Sequence, residues 1–213
     1  MKTVYVIPGM GADEQIFSKL NLTNCKIIPI KWLPILKDEL LPAYAKRLSA
    51  QINTSEPFYL AGVSMGGMCC VEMTKFLKPE KVFIISSAKC ADEMPGDLKL
   101  FRWLPLYRLA TTNFFLRIAR KSKWLFGIED DKQMELFIDM MKNVPEQHLK
   151  RSINCILQWN NKIIPENITH IHGTDDHVIR YKNIKNAIPI NGGGHCMVLN
   201  NAEEISTIMN KFL

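Results

Sequence analysis

Hydrophobic residues in the first 90 positions fall into short, nearly continuous runs, separated by stretches that repeat at the helical period. Thr3–Ile7, Cys25–Ile30, Phe58–Val63 and Val82–Ser86 are such runs. Each is rich in β-branched or aromatic residues, which predicts strands. Continuous rather than alternating hydrophobicity predicts a parallel sheet covered on both faces. Helices are predicted between them at Asp13–Leu20, opened by Asp13 as cap, at Leu40–Ile52 and at Gly66–Leu77. Strand-helix-strand repetition implies right-handed crossovers and an α/β fold.

From Ala91 to Pro165 the pattern becomes helix-like, with no convincing strand, and is punctuated by Pro95-Gly96, Pro105, Gly127 and Pro145. The α/β pattern then resumes with strand candidates Ile168–His172 and Ala187–Ile190. A closing helix follows over Ala202–Leu213, capped by Asn200 or Asn201. The expected organisation is one domain. Residues 1–90 and 166–213 form its α/β core, and residues 91–165 a helical insertion of the kind that forms lids.

Composition narrows this picture only slightly. A chain of 213 residues with 47% hydrophobic residues can bury a sizeable core. The net charge of +6 is spread over scattered lysines and gives no argument for a nucleic-acid partner. Six cysteines, without C-x-x-C spacing and with Cys69-Cys70 inside a predicted buried helix, read as reduced thiols rather than a disulfide framework. No apolar run approaches the ~20 residues of a membrane span, and Val4–Ile7 is too short for a signal sequence. The expectation is a soluble cytoplasmic protein without stable membrane insertion.

The chemistry lies in loops that follow strands. Gly62-Val63-Ser64-Met65-Gly66 joins a predicted strand to a predicted helix. A serine on so sharp a turn projects its hydroxyl above the sheet, and flanking glycines admit the strained backbone and close helix packing. Pro8-Gly9-Met10-Gly11, after the first strand, can present backbone N–H groups. The residue after the serine, Met65, can supply another, so Met10 and Met65 are the candidate oxyanion donors. Asp175 and Asp176 both follow the strand ending at His172, and either carboxylate can orient a histidine. Asp175 is also the kind of residue that organises a turn. His172 and His177 beside them suggest metal ligands, but with no further ligand cluster they read as surface or turn histidines. Asn191-Gly192-Gly193-Gly194-His195 makes a flexible loop able to carry an imidazole over the sheet. The order serine, acid, histidine differs from that of the chymotrypsin and subtilisin triads. Ser86 and Ser87, at a strand end, read as structural, and Trp32 lies near the expected pocket.

These motifs, with Gly173-Thr174-Asp175-Asp176, resemble those of the α/β-hydrolase superfamily, and the resemblance spans nearly the whole chain. It implies a catalytic triad of Ser64, Asp176 and His195, the acid standing three residues after the glycine of a His-Gly-x-x-Asp turn. It also implies an oxyanion hole from Met10 and Met65 and no metal or organic cofactor. Two departures stand out: Pro8-Gly9 replaces the common His-Gly, and two customary leading strands are missing. The expected core is therefore a shortened, mostly parallel sheet of about six strands, with helices on both faces and a helical lid.

The implied activity is hydrolysis of a small-molecule carboxylic ester or thioester through an acyl-enzyme. Acyl transfer and carbon–carbon bond hydrolysis use the same triad, and a non-catalytic ligand-binding protein can keep the fold. Between Leu98 and Phe126 the insertion carries Lys99, Arg102, Arg108, Arg117, Arg120, Lys121 and Lys123 and no acidic residue, interleaved with Leu100, Trp103, Phe114 and other apolar residues. The simplest reading packs the apolar side on the core and solvates the basic side. A sharper one is a mouth for acyl groups with an anionic handle, with membrane-surface attachment a weaker third.

Overall fold

A computed structural model describes every residue except Glu129, and only the backbone at Lys99 and Leu100. The proposed roles of those two side chains in the basic segment lie outside the described residues.

The strands are β1 (Lys2–Ile7), β2 (Cys25–Pro29), β3 (Phe58–Val63), β4 (Lys81–Ile85), β5 (Ile168–Gly173) and β6 (Ile188–Ile190). Among the described residues they form one six-stranded sheet in the order β2-β1-β3-β4-β5-β6, with every neighbouring pair parallel. Successive side chains point to opposite faces, and both faces are buried. Val4, Val6, Ala61, Val63, Phe83 and Ile85 belong to one core, whereas Tyr5, Ile7, Leu60, Val82 and Ile84 belong to the other.

The helices α1 (Leu41–Leu48) and α2 (Met65–Met73) cover the second face. Both are shorter than their hydrophobic periods predict. A 3₁₀ turn over Ser49–Gln51 replaces the end of α1. At the end of α2 the Thr74 hydroxyl donates to the Val71 carbonyl at 2.7 Å, a local bond that competes with continuing the helix. The predicted helix after β1 is a 3₁₀ turn, Glu14–Phe17, with the Asp13 carboxylate accepting from the Gln15 N–H as its cap.

Between β4 and β5 the described residues form helices and turns, with no strand. In order these helices are α3 (Gly96–Leu100), α4 (Thr112–Lys121), α5 (Lys123–Phe126), α6 (Asp131–Lys142) and α7 (Glu146–Gln158). The far end of the segment is pinned to the core. Trp159 Nε1 donates to the buried Glu72 carboxylate at 2.7 Å, and the Arg102 guanidinium donates to the carbonyls of Leu157 and Trp159. After β6 a helical turn unforeseen from the sequence, α8 (Met197–Asn200), precedes α9 (Ala202–Asn210). Asn201 stands at the cap position of α9 without a side-chain cap bond.

The simple reading of the insertion needs correction. Trp103 and Leu109 are 87% and 83% exposed, and Leu104, Leu106, Phe114 and Ile118 are exposed too. In α4 the apolar residues occupy two faces: Ala119 is buried and Phe115 packs against the core, while Phe114 and Ile118, one turn apart, face outward. An apolar stripe this wide cannot all turn toward one core.

Backbone crowding sets the junction of β3 and α2. A Cβ on Gly66 would stand 2.2 Å from the Ile7 carbonyl oxygen and 2.3 Å from that of Pro8, and one on Gly62 would meet the Gly66 backbone at 2.4 Å. Rigid backbone cannot yield as a flexible side chain would. Gly66→Ala is expected to destabilise the fold by about 2–3 kcal/mol, the upper part of the overpacking range. Denaturant melts of the two proteins check this, and an unchanged midpoint would contradict the crowding.

Candidate active site

Strand order reverses at β1, which has β2 on one side and β3 on the other. Open α/β sheets bind ligands at the carboxyl ends of their strands at such a switch point. Register brings Ile7 beside Gly62, Val63 beside Ile85, and Gly173 beside Ile190, so these loops leave one edge of the sheet together. The loops after β1 and β3 touch: a Cβ on Gly9 would lie 3.4 Å from Ser64 Cβ.

Ser64 follows β3 with φ 52° and ψ −121°, a conformation that L-residues rarely adopt. Such a backbone costs roughly 1–3 kcal/mol and persists only where its surroundings over-determine it. Here the Ser64 N–H donates to the Ile85 carbonyl at 3.0 Å, and its carbonyl accepts from the Ser87 hydroxyl at 2.6 Å and the Met68 N–H at 3.2 Å. Ser87, read from the sequence as structural, therefore braces the turn. Ser86 is buried at φ 46°, and its hydroxyl has no hydrogen-bond partner among the described residues.

Two long-range contacts assemble around this serine. His195 Nε2 lies 3.1 Å from Ser64 Oγ, and His195 Nδ1 lies 2.8 Å from Asp176 Oδ2. Asp176 is buried, and its Oδ1 accepts the N–H groups of Val178 and Ile179, each at 2.9 Å. Asp175 is exposed and accepts from the Thr174 hydroxyl in the turn. Geometry thus separates the two aspartates. Burial pushes the Asp176 pKa upward, but the His195 and His172 imidazoles and the Ile179 N–H outweigh it, leaving the carboxyl below its ordinary range.

The other expected residues are also placed. Met65 is the first residue of α2, where an N–H has no acceptor within the helix, and the Met10 N–H donates to no group among the described residues. The positive end of α2 favours negative charge near Ser64. Trp32 stacks on Tyr44 and donates to the Ala12 carbonyl at 3.1 Å, outside the cavity at the serine. His177 is exposed against Trp124. His172, however, is not a surface histidine: it is fully buried on β5. No group of histidine, cysteine or carboxylate side chains suited to a metal occurs among the described residues.

Sequence reasoning missed the seat of the histidine loop. The Cys196 N–H donates to the Phe126 carbonyl at 2.8 Å, and the Asn200 side chain donates to the Gly127 carbonyl at 2.7 Å. Gly127 (φ 63°) and Gly194 approach backbone to backbone, a Cβ on either standing within 2.5 Å of the other's Cα. The glycines at 127 and 194 were visible signals, but their pairing is not local.

A cavity of about 100 Å³ opens at Ser64 and His195. Met10, Ile16, Phe126, Phe137, Ile156 and Val178 make much of its apolar wall. Cys196 also lines it, but burial, followed by the Asp176 charge, pushes that thiol up to about 12, so it stays protonated and a poor nucleophile at neutral pH.

No protein-family model matches the sequence, nor does any curated protein. Solved structures do match. An esterase from Exiguobacterium antarcticum superposes with a TM-score of 0.77 at 15% identity, over 100% of this chain and 91% of that one. MenH from S. aureus gives 0.78 at 13% identity, over 100% and 93%, and a bromoperoxidase from Bacillus anthracis 0.74 at 15%, over 99% and 91%. The fold is that of the α/β-hydrolases. No helix among the described residues of this α/β-hydrolase fold is long and apolar enough to cross a membrane.

Three buried histidines make stability depend on pH. Burial lowers the pKa of His148, His170 and His172, and for His170, with help from Lys89 and His172, the value falls to about 2. Below about pH 6.5 the unfolded chain binds protons there that the native state refuses, so stability rises with pH and is lost as pH falls through that value. Asp176 adds loss only below about pH 4, because its folded pKa is depressed. Denaturant melts from about pH 7.5 to 5 are expected to show falling stability, at up to about 1.4 kcal/mol per pH unit for each histidine. A flat profile would contradict the neutral buried rings.

Proposed function

We propose that this chain is a serine hydrolase that cleaves a small-molecule carboxylic ester or thioester. The observation that carries the reading is the hydrogen-bonded line from Ser64 through His195 to Asp176, at 3.1 and 2.8 Å. In this reading His195 takes the Ser64 proton as the hydroxyl oxygen attacks the acyl carbonyl carbon. Asp176 holds the ring with Nδ1 protonated and stabilises the imidazolium. The Met10 and Met65 N–H groups receive the oxyanion. Collapse expels the alcohol or thiol, which takes the proton from His195, and water activated by the same imidazole hydrolyses the acyl-enzyme. The esterase among the structural neighbours supports the assignment by fold-level likeness.

Cavity size bears on the substrate. At about 100 Å³ the cavity is small beside the roughly 300–1,000 Å³ of ordinary ligand pockets, which suits a short acyl chain. We assign residues 91–165 the role of a lid, because Phe126, Phe137 and Ile156 wall this cavity. Of the six cations between Leu98 and Phe126 whose side chains are described, three are engaged: Arg102 holds backbone carbonyls, Arg120 pairs with Glu135 and Lys123 with Asp131. Arg108, Arg117 and Lys121 are exposed and form no salt bridge among the described residues. Six free cysteines support a reducing, cytoplasmic setting.

A fluorophosphonate probe is expected to label the protein at Ser64 and to fail on Ser64→Ala. With p-nitrophenyl esters, Ser64→Ala and His195→Ala are expected to lower kcat by about 10³-fold or more, since triad members act as a unit. Wild-type protein that neither labels nor turns over any ester or thioester would remove the proposal. Across a chain-length series, kcat/KM is expected to peak at short acyl groups and to fall for long ones. Comparing acyl-CoA with uncharged esters of equal chain length tests the three open cations. Equal rates at low salt would assign them to solvation alone.

A further inference from the structure

β5 carries His170 and His172 two residues apart, so both rings lie on the same face of the strand. Both are buried, and neither has a part in the triad chemistry described above. Behind them lies a second buried pair, Lys89 and Glu93, with Lys89 Nζ 2.7 Å from Glu93 Oε1. Glu93 also accepts the N–H groups of Lys89 at 2.8 Å and Lys185 at 3.2 Å.

Donor arithmetic then sets every proton in the row. An ammonium donates three hydrogen bonds and accepts none. Lys89 Nζ has three acceptors in reach: the Glu93 carboxylate, the Lys185 carbonyl at 2.5 Å and His170 Nδ1 at 2.8 Å. His170 Nδ1 must therefore be bare, and its proton sits on Nε2. That nitrogen lies 3.1 Å from His172 Nδ1, so His172 in turn accepts at Nδ1 and carries its proton on Nε2. His172 Nε2 lies 2.7 Å from the Ile179 carbonyl and 3.3 Å from Asp176 Oδ2, the oxygen that receives His195 Nδ1–H. Ile179 also donates its own N–H to Asp176 Oδ1.

We propose that Lys89, His170 and His172 form a tautomer-setting relay whose last N–H holds the Ile179 turn and the Asp176 carboxylate in place for His195. They are positioning residues, and the inference rests on the hydrolase reading of the site. With the opposite tautomer, His172 would turn a lone pair toward the Ile179 carbonyl and the carboxylate, repelling both. Apolar side chains of equal volume would avoid the desolvation cost of the buried ion pair. What the polar row delivers instead is a directed donor at the triad acid. Burial of both rings, together with the Lys89 charge beside His170, keeps them neutral, as the relay requires. The groups that oppose this are the Ser87 backbone at His170, and Asp176, the Ile179 backbone and Glu93 at His172.

The relay is tested first without any substrate. Nitrogen-15 NMR of histidine-labelled wild-type protein near neutral pH is expected to show His170 and His172 as neutral Nε2–H tautomers. Assignment comes from loss of each signal in His170→Asn and His172→Gln. An Nδ1–H tautomer or an imidazolium at either ring overturns the relay whatever the enzyme does. Catalysis is tested second. Gln places an N–H near the position of His172 Nε2, and Leu places none. His172→Leu is expected to lower kcat about tenfold or more with KM changed less than about threefold, and His172→Gln to recover most of that loss. Rates are normalised to the fraction that fluorophosphonate labels. Equal rates for the Leu and Gln variants overturn the relay. A wild-type protein that never labels overturns the hydrolase reading instead, leaving the tautomer result to stand alone.

Discussion

A carboxylate taken out of water has to be given back nearly all the hydrogen bonds that water made to it, or it will not stay charged. Asp176 meets that demand with four donors: two backbone N–H groups on Oδ1 and, on Oδ2, the His195 imidazole with His172 Nε2 at longer range. They come from three different constraints. The backbone pair belongs to the turn after β5, His195 arrives on the loop after β6, and His172 is part of β5 itself. The carboxylate is therefore where strand register, turn geometry and loop placement meet. In the proposed reaction an ionised Asp176 also stabilises the imidazolium as the Ser64 hydroxyl gives up its proton.

The parts legible in the sequence are those whose physics is local. A continuous apolar run followed by glycine, serine and glycine already contains the strand, the sharp turn and the following helix, and Gly62 and Gly66 sit where a side chain would strike the Ile7 and Pro8 carbonyls or the helix backbone. The Asp13 cap is local in the same sense. Asp176 was separable from Asp175 only through the spacing of the resembling motif; the structure shows the physical reason, one buried and the other in water. What stayed hidden depends on pairs distant in the chain. Lys89 meets His170, Gly127 meets Gly194, and Trp159 meets Glu72, and no period or spacing marks these partners. The outward face of α4 was hidden differently: its apolar residues fit a helix well, but periodicity does not say how many of them the core can receive.

The insertion and the core are not separable pieces. Residues 126 and 127 end a short helix of the insertion, yet their carbonyls accept from Cys196 and Asn200 at the two ends of α8, the helical turn that follows the histidine loop. The Phe126 ring meanwhile lies 6.5 Å from the His195 ring and lines the cavity beside Ser64. One residue thus shapes the cavity beside Ser64 with its side chain and anchors the histidine loop with its backbone. Replacing Phe126 with a smaller residue enlarges the cavity and also removes packing from the imidazole it faces. Under the proposed function, acyl preference and the proton-transfer geometry are therefore coupled at this position. In that reading the two can be tuned separately at Ile16 and Ile156, which line the cavity and have no part in the proposed triad or oxyanion hole.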